Sequence, residues 1–241
     1  MEGACLKVLD LCAGTGSATK AFKDAGHEVI RLELDPSHGA DLTMDVREFA
    51  KDPTRYLPAG WVPDVIWASP PCTAFSMAGS GKGRVRWDYR AKGDEDPFYG
   101  PRVPIHEVSR LGCEVVLACL AVIEKLKPRF WWLENPQGGL QTMGFMRNVP
   151  GPATITYCQY GDTRMKPTCL WGVWPSTWRP KPRCHNGDNC HVPGPRGSRT
   201  PGSTQGHKDA KTRAMVPEAV SQSILESLSP SVKPYGLEAF A

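Results

Sequence analysis

The sequence predicts an α/β fold in which helices cover both faces of a mostly parallel β-sheet. Short apolar runs alternate along the chain with amphipathic segments, a pattern typical of parallel strands buried on both sides. A glycine-rich turn follows the first apolar run, and polar or reactive side chains follow several others. Ligands of such sheets bind at the carboxyl ends of the strands. The polar residues at those ends are therefore the candidates for function.

The composition indicates one main domain. The chain has 241 residues, of which 40% are hydrophobic and 22% charged, enough for one sizeable core and a small appendage. The opening residues do not resemble a secretory signal, and no apolar run approaches the roughly 20 residues of a membrane span. Nine cysteines, an odd number, are typical of reduced thiols. We expect a soluble, cytoplasmic monomer without a membrane partner.

The N-terminal part predicts a strand, a tight turn and a helix. Residues 6–11 form the strand, residues 12–16 (Cys-Ala-Gly-Thr-Gly) form the turn, and residues 17–25 form the helix. Residues 27–34 are the second strand. A glycine turn of this length alone is a weak signal, because many such turns are only tight turns.

Two carboxylates strengthen the interpretation of this turn as a binding site. Glu33 ends the second strand, where it can hold ribose hydroxyls, and Asp45 lies in the next segment, residues 42–49, where it can meet an adenine amino group. The turn lacks the Lys-Ser/Thr pair that grips nucleotide phosphates. This combination suits S-adenosylmethionine.

A cysteine follows the next strand. Residues 65–68 (Val-Ile-Trp-Ala) read as a buried strand, and Pro70 and Pro71 end it with a turn, so Cys72 lies at the sheet edge. A thiolate is a strong nucleophile. Cys72 is therefore the candidate nucleophile, whereas a cysteine that only fills space is the alternative.

The middle of the chain supplies a candidate acid. Residues 76–102 are rich in glycine, basic and aromatic residues and predict one long, mobile loop that closes over a substrate. Residues 105–127 form an amphipathic helix, and residues 130–133 form a strand that leads to Glu134 and Asn135.

A thiol and a carboxylic acid at one sheet edge match a specific reaction. Addition of the Cys72 sulfur to C6 of cytosine makes C5 nucleophilic enough to accept a methyl group. Protonation of the ring at N3 by Glu134 eases this addition, provided that burial raises the pKa of Glu134.

The C-terminal part divides into three. Residues 153–159 and 169–174 predict two more strands, residues 178–210 predict an irregular appendage, and residues 216–228 predict a closing helix. The expected domains are a catalytic domain over residues 1–177, a basic recognition segment over residues 178–212, and a C-terminal part over residues 213–241 that completes the catalytic domain.

The appendage predicts two kinds of binding. Between residues 179 and 213 there are eight Lys and Arg against two Asp, which favours an anionic partner over a merely solvated loop. Cys184, His185, Cys190 and His191 form a cluster that could bind zinc and organise a segment poor in apolar residues, although the spacing fits no common zinc finger.

Four motifs, in this order, resemble those of the DNA cytosine-5 methyltransferases. They are residues 10–16 (Asp-Leu-Cys-Ala-Gly-Thr-Gly), residues 69–76 (Ser-Pro-Pro-Cys-Thr-Ala-Phe-Ser), Glu134-Asn135, and residues 159–168, which begin Gln-Tyr-Gly and end Lys-Pro-Thr. The likeness covers roughly residues 5–175 and the last helix, and four motifs in order are far more specific than one.

The resemblance implies a Rossmann-like, S-adenosylmethionine-dependent methyltransferase domain with a small recognition segment, similar to compact phage-type modification enzymes. It implies double-stranded DNA as partner, a flipped-out cytosine as target, and a place in restriction and modification of DNA in a bacterial or phage-infected cell. The implied catalytic residues are Cys72, Glu134, Asn135, Arg164 and Lys166. The implied cofactor residues are Asp10, Ala13, Gly14, Thr15, Gly16, Glu33, Leu34, Asp45, Val46 and Pro70.

Three alternatives stay open. The turn Ser69-Pro-Pro-Cys72 is close to that of methyltransferases acting on the amino groups N4 or N6, in which an aromatic residue stands in place of the cysteine. An RNA cytosine is a second possible substrate, although the basic segment and the lack of an RNA-binding motif lean toward DNA. A catalytically silent nucleic-acid-binding module is the third.

Overall fold

A computed structural model describes residues 5–76, 87–185, 187–191, 193–194, 209–228 and 234–235. It has ten strands: β1 (Lys7–Leu11), β2 (Glu28–Glu33), β3 (Leu42–Thr43), β4 (Val65–Ala68), β5 (Trp87–Tyr89), β6 (Arg102–Pro104), β7 (Phe130–Pro136), β8 (Ala153–Thr156), β9 (Pro167–Pro175) and β10 (Pro234–Tyr235). Its helices are α1 (Lys20–Asp24), α2 (Val46–Phe49), α3 (Glu107–Leu126), α4 (Ala210–Ala214) and α5 (Glu218–Ser227).

The main sheet has the order β10-β9-β7-β4-β1-β2-β3, with β8 also paired to β9. The five strands from β7 to β3 are parallel, whereas β9 runs antiparallel to β7 and to β8. This confirms the predicted α/β class with a parallel-dominated sheet.

Alternate side chains of the central strands belong to two separate hydrophobic cores, one on each face of the sheet. On β1, Leu9 and Leu11 pack with α2 and α3, whereas Val8 packs on the opposite face with α1 and α5. Trp67 and Trp132 lie on this second face and stack with ring centroids 6.3 Å apart. Burial on both faces explains why these strands are continuous apolar runs rather than alternating ones.

The structure shortens the first predicted helix and the strand at residues 153–159. Helix α1 begins only at Lys20, because residues 12–19 are taken up by tight turns, with Gly16 at φ +73°. Strand β8 ends at Thr156, and Tyr157–Tyr160 form a 3-10 turn that closes on Gly161 at φ +84°. The long helix is close to the prediction, since α3 ends at Leu126, with Lys127 as its C-cap immediately before Pro128.

The prediction of one continuous loop over residues 76–102 is wrong for its second half. Strands β5 and β6 pair antiparallel there, and Trp87 is buried, with its ring 6.0 Å from that of Phe75 and 5.3 Å from the guanidinium of Arg102. The buried indole ties this segment to the turn after β4. Residues 77–86 lie outside the described part of the chain.

Within the described ranges, no helix is both long enough and apolar enough to cross a membrane.

Gly172 marks the closest approach between β7 and β9. A Cβ at this position, where φ is +150°, would lie 1.9 Å from the carbonyl oxygen of Trp131. We therefore expect Gly172→Ala to force the two strands apart and to lower the midpoint of thermal unfolding strongly, because a backbone atom cannot move aside as a flexible side chain can.

Gly26→Ala is the matched control. Gly26 also has a positive φ, +83°, but nothing lies within 4 Å of an added Cβ, so only the backbone cost of roughly 1–2 kcal/mol applies. Equal losses of thermal stability in the two variants would contradict the close approach.

Candidate active site

The pairing of β4 with β7 brings the candidate nucleophile and acid together. Ala68 pairs with Leu133, so the chain leaves β4 toward Cys72 beside the point where β7 reaches Glu134. The Asn135 amide Nδ2 donates to the carbonyl oxygen of Pro70 over 3.0 Å. This buried hydrogen bond fixes the Pro-Pro-Cys turn against the end of β7.

Two glycine contacts hold the same turn from other sides. The Gly139 amide donates to the Phe75 carbonyl over 2.8 Å. On α3, Gly112 packs so closely that an added Cβ would lie 2.4 Å from the Cβ of Ala74. The 3-10 turn Cys72–Ala74 is thus enclosed by α3 and by the segment after β7, while the Cys72 side chain itself stays half-buried.

Glu134 is a buried carboxyl with one neutral partner. The Tyr157 hydroxyl donates to Glu134 Oε1 over 3.0 Å. Burial raises the pKa of Glu134, and the positive charge of Lys166 and the Tyr157 hydrogen bond oppose that rise. The Glu134 side chain therefore stays protonated to a higher pH than an ordinary glutamic acid.

Cys72 experiences the same opposing influences. Burial raises the pKa of the Cys72 thiol, the positive charge of Lys166 lowers it, and the negative charge of Glu134 raises it. Lys166 and Glu134 thus both act on Cys72, which shows that the three side chains share one electrostatic environment. Lys166 is placed by Tyr157, since its Nζ lies 4.6 Å from the centre of that ring.

The sequence predicts that Arg164, like Lys166, contacts the base or its phosphate. In the structure, the Arg164 side chain instead forms contacts within the protein. Its side chain is buried, forms an ion pair with Asp162, and donates to the carbonyl oxygen of Arg213 over 3.0 Å. A guanidinium held in this way positions the turn after residue 160, and Lys166 is the cation whose charge acts on both Cys72 and Glu134.

The glycine turn after β1 lies beside the end of β2. Glu33 Oε2 accepts a 2.8 Å hydrogen bond from the Gly14 amide, and Oε1 accepts from the amides of Leu34 and Asp35. A carboxylate has about four acceptor positions, so three are used and one is left for a ligand hydroxyl. Gly14 has φ +50°, and nothing within 4 Å would meet an added Cβ, so the space over the turn is open.

Other predicted cofactor residues surround this turn. Leu34 is 63% exposed, an apolar surface that an adenine ring could cover. Burial raises the pKa of Asp10 to about 7, and its Oδ1 has no hydrogen-bond partner among the described residues. Ala13, Val46 and Pro70 are buried. The open glycine turn, the free acceptor position of Glu33 and the exposed Leu34 side chain fit a ligand with an adenosyl part, as in S-adenosylmethionine.

Asp45 has a different environment from that predicted. Its carboxylate caps α2 by accepting from the Arg47 amide over 2.8 Å, and it forms an ion pair with the Arg47 guanidinium. The Arg47 side chain lowers the pKa of Asp45. The charge is therefore kept, but Asp45 is already partnered within the protein.

A cavity of about 250 Å³ borders the glycine turn. Its walls include Thr15 and Gly16 from the turn, Lys20 and Arg31 on its rim, and Met215 from the C-terminal part. Glu33 and Asp45 do not line it, so it is distinct from the space over Gly14.

The predicted metal cluster is rearranged. The structure brings Cys184, Cys190 and His191 together, and it adds Cys158 in place of His185. His185 lies outside the cluster with its side chain 86% exposed, beside Asp188.

Sequence reasoning missed Tyr157 and Cys158. Tyr157 gave no chemical signal, because a tyrosine at the end of an apolar run reads as core, and Cys158 lies 26 residues from the nearest member of the cluster. Only the fold of the turn after β8 places Tyr157 beside Glu134 and Cys158 beside the other cluster residues. The basic surplus was predicted over residues 179–213, and residues 195–208 of that range lie outside the described part of the chain.

Comparison with known proteins agrees with this geometry. Over 199 residues the chain is 28% identical to a probable DNA (cytosine-5)-methyltransferase of Frog virus 3, covering 75% of this chain and 78% of that protein. The resemblance to the DNA cytosine-5 methyltransferases is confirmed. No protein-family model matches the chain.

A solved structure shows the same fold. A putative DNA modification methyltransferase encoded within a prophage of E. coli superposes with a TM-score of 0.50 at 18% identity, covering 73% of this chain. The chain spans about half (51%) of that protein. At this identity the likeness establishes the methyltransferase fold alone.

Replacement of Lys166 tests the electrostatics of the site. Because the positive charge of Lys166 lowers the pKa of the Cys72 thiol, Lys166→Met should raise that pKa and shift the pH dependence of Cys72 alkylation by iodoacetamide to higher pH. Mass spectrometry of the Cys72 peptide measures the rate. Lys51→Met, which removes an exposed lysine paired with Glu48, should leave the profile unchanged. A profile that does not move in Lys166→Met would refute the coupling.

Proposed function

We propose that the protein is a DNA cytosine-5 methyltransferase that transfers a methyl group from S-adenosylmethionine to C5 of a cytosine in double-stranded DNA. The observation that supports this most directly is the placement of Cys72 and Glu134 at the ends of adjacent strands, fastened by the hydrogen bond from Asn135 to Pro70. The similarity to the frog-virus protein points to the same chemistry.

The proposed reaction begins at two atoms of the cytosine ring. The Cys72 sulfur forms a bond to C6, while Glu134 donates a proton to N3, so that the electron pair of the C5–C6 double bond becomes available at C5. Tyr157 donates to Glu134 Oε1, which places the acidic proton of Glu134 on Oε2. Lys166 favours the thiolate of Cys72 by its charge.

S-adenosylmethionine, when bound, supplies an electrophilic methyl group. On the protein, Gly14, Glu33 and Leu34 would hold it beside the glycine turn. After transfer, a base removes the proton from C5, the C6–sulfur bond breaks, and the Cys72 thiolate leaves as the ring regains its aromatic character. The N3 proton returns to Glu134.

The target cytosine has to leave the DNA helix for this reaction. Neither face of C5 or C6 can be reached within stacked bases, so the base is flipped into the pocket at a cost of a few kcal/mol. Basic residues of the segment 179–213 would hold the phosphates of the DNA. The proposed setting is modification of phage or host DNA in a bacterial cell, as in a restriction–modification system.

Covalent trapping tests the nucleophile. DNA with 5-fluorocytosine at the target should form a stable adduct with the protein in the presence of S-adenosylmethionine, because fluorine cannot leave as a proton does. We expect the adduct on denaturing gels with the parent protein and none with Cys72→Ala, while Cys5→Ala, which removes an exposed cysteine outside the glycine turn, should still form it. An adduct of equal yield with Cys72→Ala would overturn the assignment.

The trapping assay also distinguishes DNA from RNA as the substrate. RNA carrying 5-fluorocytosine should not be trapped, and the methyl group in product DNA should be found at C5 rather than at N4 or N6 when nucleosides are analysed by mass spectrometry. Adducts with RNA alone, or methylated amino groups, would favour the alternative methyltransferases.

Glu134→Gln tests the acid. Because burial raises the pKa of Glu134, the protonated form that the reaction needs persists toward neutral pH and is lost as the pH rises through that raised pKa. The parent kcat/KM should therefore fall on the alkaline side. Glu134→Gln should be slower by about 10²–10⁴-fold and should lack this alkaline fall. A glutamine variant with the parent's alkaline profile would exclude Glu134 as the proton donor.

A further inference from the structure

The turn after β8 and the basic segment meet at a cluster of four side chains that the proposed reaction does not use. Cys158, Cys184, Cys190 and His191 come from two parts of the chain, and their ligand atoms all lie within 4.8 Å of one another. Cys158 belongs to the turn Tyr157–Tyr160, and the other three belong to the basic segment.

The spacing of the atoms matches a tetrahedral zinc site. The Cys158 sulfur lies 3.1 Å from that of Cys184 and 3.6 Å from that of Cys190. His191 Nδ1 lies 3.4 Å from the Cys190 sulfur and 3.9 Å from the Cys184 sulfur. Around one zinc ion, Zn–S bonds of ~2.3 Å and a Zn–N bond of ~2.0 Å place sulfurs ~3.8 Å apart and sulfur and nitrogen ~3.6 Å apart.

The environment of His191 is a second, independent observation. The side chain is buried, with 9% exposure, and Nδ1 faces only cysteine sulfurs, which are weak hydrogen-bond partners. Nε2 has no hydrogen-bond partner among the residues that the structure describes. A buried Nδ1 that faces only sulfurs is costly unless it binds a metal, and such a bond would leave Nε2 as the protonated nitrogen of the ring.

The surroundings also suit thiolates. The Gln159 amide Nε2 lies 3.3 Å from the Cys190 sulfur, and the Cys184 backbone amide donates to Thr156 Oγ1 over 3.0 Å. The Gln159 amide can donate a hydrogen bond to a negatively charged Cys190 sulfur, and the hydrogen bond to Thr156 orients the backbone of Cys184. Groups of this kind around a metal site orient its ligands and tune their basicity.

From these contacts we propose that Cys158, Cys184, Cys190 and His191 bind one structural zinc ion, which fastens the basic segment to the turn that contains Tyr157. Four protein ligands leave no open position, so the ion is structural and takes no part in methyl transfer.

The proposed ion would stabilise a segment that has few apolar residues. Residues 179–191 are polar and proline-rich, and apart from the cluster they are held by Lys181, whose amide donates to the Tyr160 hydroxyl over 2.8 Å and whose Nζ donates to the Gln159 carbonyl. A segment with so little apolar surface needs a metal or a disulfide to stay folded. Since Tyr157 also donates to Glu134, the ion would hold the basic segment in register with the active site.

Metal analysis of the purified full chain tests the site without relying on activity. We expect about one zinc per chain by mass spectrometry of the metal, and an X-ray absorption spectrum with three sulfurs and one nitrogen around it. Replacement by cobalt should give the intense d–d bands of a tetrahedral thiolate site. Stoichiometric zinc should be lost in Cys158→Ser and in Cys190→Ser.

The matched controls are the neighbours that the structure leaves out of the cluster. His185→Ala and Cys5→Ser should keep the full zinc content, since the His185 side chain is exposed to solvent and Cys5 is an exposed cysteine that does not belong to the cluster. Zinc retained in Cys158→Ser but lost in His185→Ala would refute the ligand set. A metal-free protein with freely titrating thiols, or with Cys158 and Cys184 joined in a disulfide, would refute the site even if the protein methylates DNA.

Discussion

The hydrogen bond from the Asn135 side chain to the Pro70 carbonyl is the contact on which the active site depends. Parallel pairing of β4 and β7 brings two strand ends side by side, but the chain diverges after each of them. Pro70 cannot donate a backbone hydrogen bond, so its carbonyl oxygen is the group by which the turn can be held. Because Asn135 directly follows Glu134, its side chain ties the turn that contains Cys72, the proposed nucleophile, to the strand end that contains Glu134, the proposed acid.

Burial and charge are balanced between those two groups. Burial favours the neutral forms of both the Cys72 thiol and the Glu134 carboxyl. A proton donor must be neutral, whereas a nucleophilic thiol must be ionised. Lys166 opposes burial at both. In the proposed reaction, a cation that acts on a partly buried thiol and on a buried carboxyl would let one pocket hold a nucleophile and a proton donor together.

The sequence predicted the parts of the fold whose cause is local. Strand and helix positions followed from apolar spacing, and Cys72 and Glu134 followed from their places after two apolar runs. The partners that place them could not be read in this way. Tyr157, Cys158 and the burial of Arg164 result from how the turn after β8 folds back on β7 and on the C-terminal part, which are contacts between residues far apart in sequence. The burial of Trp87 could not be predicted for the same reason, since the residues that contact its ring, Phe75 and Arg102, are distant from it in sequence.

The separation of the two cores affects the order in which the protein can fold during synthesis. One face of the sheet, with Trp67 and Trp132, is covered by α1 and by α5, and α5 (Glu218–Ser227) is synthesised long after β1, β4 and β7. Val216, at the approach to α5, donates its amide to Ser17 near the first helix, so this contact joins early and late parts of the chain. Until α5 emerges, two large indoles on that face lack their cover. A nascent chain in this state exposes apolar surface of the kind that chaperones bind, so the yield of folded protein should depend on how quickly α5 is synthesised.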